Sequence, residues 1–135
     1  MKILKYLGSL LLLLILAAFL AVMFVPNPFR MMMPSYFGFE EIAPQVFLPP
    51  DLSPKMRENA LKEIKAAEQI VIEFYGSLAP RPKIVLCPFE TCDDVFGKLG
   101  SLGVAYGKRV IRVNEKGMNP VILSHELMHT NLKAW

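Results

Sequence analysis

The stretch that decides the fold is Pro120-Val-Ile-Leu-Ser-His-Glu-Leu-Met-His-Thr-Asn-Leu-Lys-Ala-Trp135. It contains the pattern HExxH, from His125 to His129, and these are the only two histidines of the chain. On a helix, side chains four residues apart lie on one face, so the two imidazoles can meet a single zinc ion. Asn119 is a suitable N-cap and Pro120 suits the first helical position, so a helix is expected here.

The HExxH pattern predicts metal-dependent hydrolysis. His125 and His129 are the expected zinc ligands, at ~2.0–2.1 Å from the ion. Glu126 is the expected general base, because its carboxylate can take a proton from a water activated by the metal. A catalytic zinc has three protein ligands, and Leu132 and Trp135 occupy the positions where the metzincin pattern has Gly and His. The competing interpretation is a buried helix whose histidines only satisfy hydrogen bonds.

The N-terminal part of the chain is strongly apolar. From Leu7 to Val25 there is no charged residue, and a run of about 19 apolar residues predicts a transmembrane signal anchor over residues 1–25. Lys2 and Lys5 precede the run, so the positive-inside bias places the N-terminus in the cytoplasm and the C-terminal domain in the periplasm or outside the cell. A cleaved signal peptide is the alternative, but its apolar region would span only about 7–15 residues.

The remainder of the chain divides into a linker and one small domain. Residues 26–52 are rich in proline and methionine and predict a linker. Residues 53–135 begin with a long amphipathic helix, expected from Pro54 to Tyr75. The following β-rich stretches predict a short sheet. The expected fold is therefore α+β, with an N-terminal transmembrane helix, a long helix, a short sheet and a C-terminal HExxH helix.

The cysteines and the net charge bear on two further questions, a disulfide or metal site and a nucleic-acid partner. Cys87 and Cys92 can form a local disulfide if the domain lies in an oxidising compartment. A metal site at these cysteines would need two more ligands close by. The formal net charge of +3 is not clustered into a basic stripe, so no nucleic-acid partner is expected.

From Pro82 to Leu132 the chain resembles a family of small, membrane-anchored bacterial zincin-like proteins. The HExxH carries most of the resemblance, and a strand that ends in Cys87 and the pair Asn119-Pro120 add to it. The resemblance implies a short sheet behind the motif helix, zinc bound by the two motif histidines, and Glu126 as the general base. It also implies that the β segment Val110–Val113 is the edge strand beside the substrate cleft.

The chain departs from this family in one respect. Zincins of the glutamate type carry their third ligand on a second helix, in a Trp-x-x-Glu-Gly-like context that is not found here. We therefore expect a C-terminally truncated zincin-like domain over residues 53–135. The expected function is that of a membrane-anchored zinc metallopeptidase-like protein acting on peptides or proteins. Because no third metal ligand is visible, its activity is left open at this point. The alternative is a non-catalytic, membrane-tethered binding or structural module on a degenerate zincin scaffold.

Overall fold

The computed structural model describes residues 2–23 and 27–132. The helices are α1 (Lys2–Met23), α2 (Asn27–Arg30), α3 (Pro54–Tyr75), α4 (Thr91–Phe96) and α5 (Pro120–Leu132). The strands are β1 (Glu40–Ala43), β2 (Val46–Leu48), β3 (Lys83–Cys87), β4 (Gly103–Tyr106) and β5 (Val110–Asn114). Two short 3-10 helices, Pro34–Phe37 and Glu115–Gly117, complete the described elements.

The five strands form one mixed sheet in the order β1-β2-β3-β5-β4. The three central strands, β2, β3 and β5, run parallel, and β1 and β4 pair antiparallel at the two edges. Central parallel strands are normally covered on both faces and therefore consist mainly of apolar residues. The sequences Ile-Val-Leu-Cys in β3 and Val-Ile-Arg-Val in β5 fit this position, except for the charged Arg112.

Each face of the sheet is covered by different elements. We call one the α3/α5 face, because side chains of both helices pack there against alternate residues of the central strands, such as Ile84, Leu86 and Ile111. On the other face, called the α2/α4 face, the intervening strand residues Val85 and Cys87 pack against α4 and the segment 31–39. The period of two along each strand thus separates two buried clusters.

The long helix α3 has the bounds that the sequence predicts. The Ser53 side chain accepts a hydrogen bond from the backbone N–H of Met56 at 3.3 Å, so it caps the N-terminus. At the other end, Gly76 adopts a left-handed conformation (φ 76°) and donates to the Ile72 carbonyl at 2.7 Å. A residue with a Cβ is strained in this conformation, which explains why glycine ends the helix.

The fold-class prediction is wrong in its transmembrane part; the structure supports a small α+β domain with a mixed sheet. Within residues 2–23 and 27–132, no helix is long and apolar enough to cross a membrane. The predicted single-pass topology, with its cytoplasmic N-terminus and its periplasmic or extracellular domain, is therefore corrected.

The segment assigned to a linker contributes to the domain. Residues 40–48 form β1 and β2, and Val46 to Leu48 are fully or almost fully buried in the sheet. Met31, from the run of three methionines, is also fully buried on the α2/α4 face. Its flexible thioether side chain suits the filling of an irregular core position.

The edge strand differs from the one that the family resemblance implied. β5 was expected at the edge, but it pairs with β3 on one side and with β4 on the other. β4 and β5 form an antiparallel pair, and β5 is the one that also pairs with β3. β4 is therefore the edge strand. The buried side chains of β5 on both faces are those of an interior strand, and this is the physical reason for the difference.

Candidate functional site

Helix α5 carries the HExxH motif and begins at a defined cap. The Asn119 side-chain oxygen accepts hydrogen bonds from the backbone N–H groups of Val121 and Ile122, both at 3.1 Å. Pro120 stands at the first helical position, where the missing N–H has no cost. The local sequence therefore fixes where the helix starts, and with it the orientation of the motif.

The two sides of α5 have different environments. Leu123 and Leu127 are each 1% exposed and pack into the cluster of the α3/α5 face. His125 and His129 lie on the outer side and are exposed. The apolar residues thus anchor the helix, and the histidines remain accessible to a ligand from solvent. The interpretation of the histidines as buried hydrogen-bonding groups does not fit this exposure.

The two imidazole rings face one another across one helical turn. Their Nε2 atoms are 3.1 Å apart, and the rings are perpendicular with centroids at 4.6 Å. Two Zn–N bonds of ~2.05 Å at a tetrahedral angle would place the nitrogens ~3.3 Å apart. The observed separation therefore fits bidentate binding of one zinc ion, and in the absence of metal it fits a hydrogen bond between the rings.

Glu126 is buried, at 7% exposure, whereas the two histidines are exposed. A Cβ atom built on Gly103 of β4 would lie 3.0 Å from Glu126 Cγ and 3.1 Å from its Oε1. The carboxyl group thus lies against the backbone of the edge strand, at a position where a larger residue would displace it. Within the part of the chain that the structure describes, Glu126 has no hydrogen bond or ion pair, so its oxygens can still accept a proton.

Gly103 is a site residue that the sequence analysis did not identify. Its role depends on the contact between β4 and α5, which are separated in sequence and meet only in the folded domain. The spacing of glycines along the chain carries no signal for such a contact.

Asn131 fixes the C-terminal half of α5. Its Oδ1 accepts a hydrogen bond from the Ala79 backbone N–H at 2.7 Å, and its Nδ2 donates to the Ser77 carbonyl at 3.3 Å. Asn131 is 2% exposed, so these bonds satisfy a buried amide. They connect the helix turn that carries His129 to the loop that follows α3.

The residues that the structure describes supply no third metal ligand for the histidines. Within residues 2–23 and 27–132, no group of three or more His, Cys, Asp or Glu side chains could hold a metal ion. Among the nearest acidic candidates by sequence, Asp93 pairs with Arg112 at 2.6 Å. Glu115 lines a cavity together with Cys87. The described donor set for zinc is therefore the two histidines.

The two cysteines are free thiols on the opposite side of the sheet from α5. A hydrogen bond from Cys92 lowers the pKa of the Cys87 thiol, and the nearby positive charge of Arg112 acts in the same direction against the effect of burial. The same hydrogen bond and burial raise the pKa of Cys92. The disulfide that the sequence allows under oxidising conditions stays a prediction; in this structure both residues are free thiols, one of lowered and one of raised pKa.

Comparisons of the chain with protein-family models, with curated proteins and with solved structures find no match. The resemblance to zincin-like proteins therefore depends on the HExxH motif and on the geometry described above.

Proposed function

We propose that this domain binds zinc through His125 and His129 and acts as a zinc-dependent peptide hydrolase. One observation carries the proposal: the two Nε2 atoms lie 3.1 Å apart on the exposed side of α5. Neutral imidazole nitrogens are among the preferred zinc donors, and this separation suits a shared ion. The buried Glu126, next to the first histidine, supplies the carboxylate that such a reaction needs.

The residues of the chain have separate roles in this proposal. When bound, zinc would polarise the scissile carbonyl and lower the pKa of water. Glu126 would accept a proton from the attacking water and deliver it to the leaving amine. Gly103 would hold β4 close enough to keep the carboxylate in place. The outer side of β4, which has no strand partner among the described residues, would align an extended peptide by backbone hydrogen bonds.

A second function is favoured by the described donor set. Two histidines without a third protein ligand bind zinc less firmly than a complete site. A non-catalytic module that binds a peptide or protein would keep the scaffold and use the same surface without hydrolysis. The two functions differ in whether the Glu126 carboxylate is needed for turnover.

Metal analysis of the full-length chain tests the first step. We expect about one zinc per chain after dialysis against low zinc concentrations, and loss of this zinc in both His125→Ala and His129→Ala. Glu115→Gln, which removes an exposed carboxylate outside the motif, is the matched control and should keep the metal. Equal zinc content in the wild type and both histidine variants would refute the site.

Peptide hydrolysis tests the second step. We expect Glu126→Gln to retain zinc but to lose hydrolysis of an unstructured protein such as casein by at least ~100-fold, because the general base is removed. Zinc binding without any hydrolysis by the wild type would exclude the enzyme and leave the binding module.

A further inference from the structure

The α2/α4 face contains a buried dithiol that the proposed hydrolase does not use. Cys87 ends β3 and is 3% exposed, and Cys92 lies in the first turn of α4 and is 1% exposed. Both belong to the same buried cluster. The turn between them is short, with Cys92 donating its backbone N–H to the Phe89 carbonyl at 3.3 Å. The turn brings the second thiol back over the end of the strand.

A buried arginine lies beside the thiols. Arg112 of β5 is opposite Val85 in the parallel register, so its side chain is on the same sheet face as Cys87 two residues further on. Its Nη1 donates to the Gly97 carbonyl at 2.7 Å and its Nη2 to Asp93 Oδ1 at 2.6 Å. Its Nε is buried and has no hydrogen-bond partner within the described residues.

An unpaired buried N–H is costly unless an acceptor is available nearby. A thiolate at Cys87 would provide that acceptor and would also compensate the charge of Arg112, whose ion-pair partner Asp93 is 36% exposed. The Arg112 side chain therefore offers both a hydrogen-bond donor and a positive charge to a Cys87 thiolate. Cys92 adds a third stabilising contact, because its protonated thiol donates to Cys87.

Cys87 is connected to solvent by a cavity of about 230 Å³. This volume admits a small linear molecule. Besides Asp93, the charged residues that line the cavity are Glu90, Glu115 and Lys116, so its rim has an acidic excess. A small cationic reagent is therefore better suited to the cavity than an anionic one.

We propose that Cys87 and Cys92 form a thiol–disulfide exchange site for small, positively charged disulfides, with Cys87 as the attacking thiolate and Cys92 as the resolving thiol. The site is separate from the HExxH motif, since the thiols and α5 pack on opposite faces of the sheet. This proposal does not depend on the proposed hydrolase.

The exchange takes place in two steps that balance. The Cys87 thiolate attacks one sulfur of the small disulfide, forming a mixed disulfide and releasing one small thiolate, which takes a proton from water. Cys92 then loses its proton to solvent and attacks the Cys87 sulfur, releasing the second small thiol. The two cysteines are oxidised to a disulfide, and the small disulfide is reduced to two thiols.

The reaction is tested with cystamine on the reduced full-length chain, followed by acid quenching and mass spectrometry. We expect the wild type to lose two hydrogen atoms without a lasting adduct. Cys92→Ser should accumulate one adduct on Cys87, because the serine hydroxyl still donates a hydrogen bond but cannot resolve the mixed disulfide. Cys87→Ser should react with cystamine at least ~10-fold more slowly than Cys92→Ser, since its remaining thiol, Cys92, is buried and protonated.

The dependence of the rate on pH distinguishes an activated thiolate from an ordinary buried cysteine. We expect the reaction rate of Cys92→Ser to reach its plateau at a lower pH than that of free cysteine, because a lowered pKa increases the thiolate fraction at a given pH. The negative charge of Asp93 raises the pKa of Cys87. The additional substitution Asp93→Asn should therefore shift the pH midpoint of the reaction downward. The groups that face Cys87 are Cys92, Arg112, Asp93, Glu90, Glu115 and Lys116.

Three results would overturn the proposal. The first is no reaction of the folded wild type with cystamine. The second is equal rates in the two cysteine variants, which would mean that neither thiol is activated. The third is a pH midpoint that is unchanged or raised in Asp93→Asn. Far-UV circular dichroism of each variant, compared with the wild type, shows whether it has folded, and peptide mapping of the oxidised wild type tests the disulfide without any substitution.

Discussion

The two faces of the sheet are built differently. On the α3/α5 face, a large cluster of apolar side chains holds α5 against the strands, and buried polar groups such as Glu126 and Asn131 lie on the helix itself. The α2/α4 face encloses a charged arginine and two thiols, with cation and sulfur close together. The first face buries the larger apolar cluster and presents the histidines on the outer side of α5. The second places its reactive groups inside the domain.

The largest effect should come from the α3/α5 face. Leu127 is 1% exposed and packs between α5 and the sheet. We expect Leu127→Ala to reduce the free energy of unfolding by about 3 kcal/mol, because the substitution removes buried apolar contacts and leaves a cavity. Urea denaturation followed by circular dichroism measures the change. Val121→Ala is the control on the same helix; this side chain is 69% exposed, and the expected change is under ~0.5 kcal/mol.

On the α2/α4 face the corresponding test removes the carboxylate beside Arg112. We expect Asp93→Ala to cost about 2 kcal/mol, because it leaves a buried guanidinium without its ion-pair partner. The double variant with Arg112→Met should be less destabilised than the sum of the two single variants. If the changes in unfolding free energy of the two single variants simply add in the double variant, Asp93 and Arg112 are not energetically coupled. The two faces would then differ in their residues but not in how those residues interact.

Loss of the hydrogen bonds that attach α5 to the loop after α3 should have a smaller effect on stability. Asn131→Ala removes the hydrogen bonds to Ala79 and Ser77, and we expect a loss of about 1.5 kcal/mol in unfolding free energy. If zinc binds at the histidines, its affinity should also fall, since the turn with His129 becomes less well positioned. Gln69→Ala, which removes an exposed side-chain hydrogen bond to Glu73, should change neither quantity.

The smallest effect concerns pH and the two thiols. The pKa of Cys87 is lowered from its ordinary value of 9.0, so its contribution to stability is complete above pH 9 and decreases as the pH falls through the folded-state pKa. The pKa of Cys92 is raised, so its contribution decreases as the pH rises above 9.0. The stability difference between the wild type and the Cys87→Ser/Cys92→Ser double variant should peak near pH 9, with an amplitude of about 1 kcal/mol or less. A flat difference from pH 6 to 10 would contradict these shifts.

Local patterns were sufficient to predict several elements. The period of α3, its serine cap and its terminal glycine lie within one stretch of sequence, and the predicted bounds Pro54 to Tyr75 are those observed. The same holds for the end of β3 at Cys87 and for the start of α5, where Asn119 and Pro120 act locally. In the candidate site, the exposed histidine pair on one helical turn follows directly from the spacing of four residues.

The features that were missed depend on contacts between distant residues. β1 and β2 lie in a proline-rich segment that resembles a linker, and they become strands only because β2 pairs with β3. The interior position of β5 depends on the same non-local pairing. The contact between Gly103 and Glu126 and the burial of Arg112 likewise form only when the sheet is assembled.

The two edges of the sheet also differ in how they resist aggregation. β1 and β4 are both 4 residues long, but β1 carries the exposed Glu40 and Glu41 and has an irregular register with β2. Negative charges and a bulge discourage the addition of a strand from another molecule. β4 has the sequence Gly-Val-Ala-Tyr without a charge. Strand-to-strand growth into oligomers or fibrils would therefore begin at β4, and a lysine placed at Val104 should oppose it.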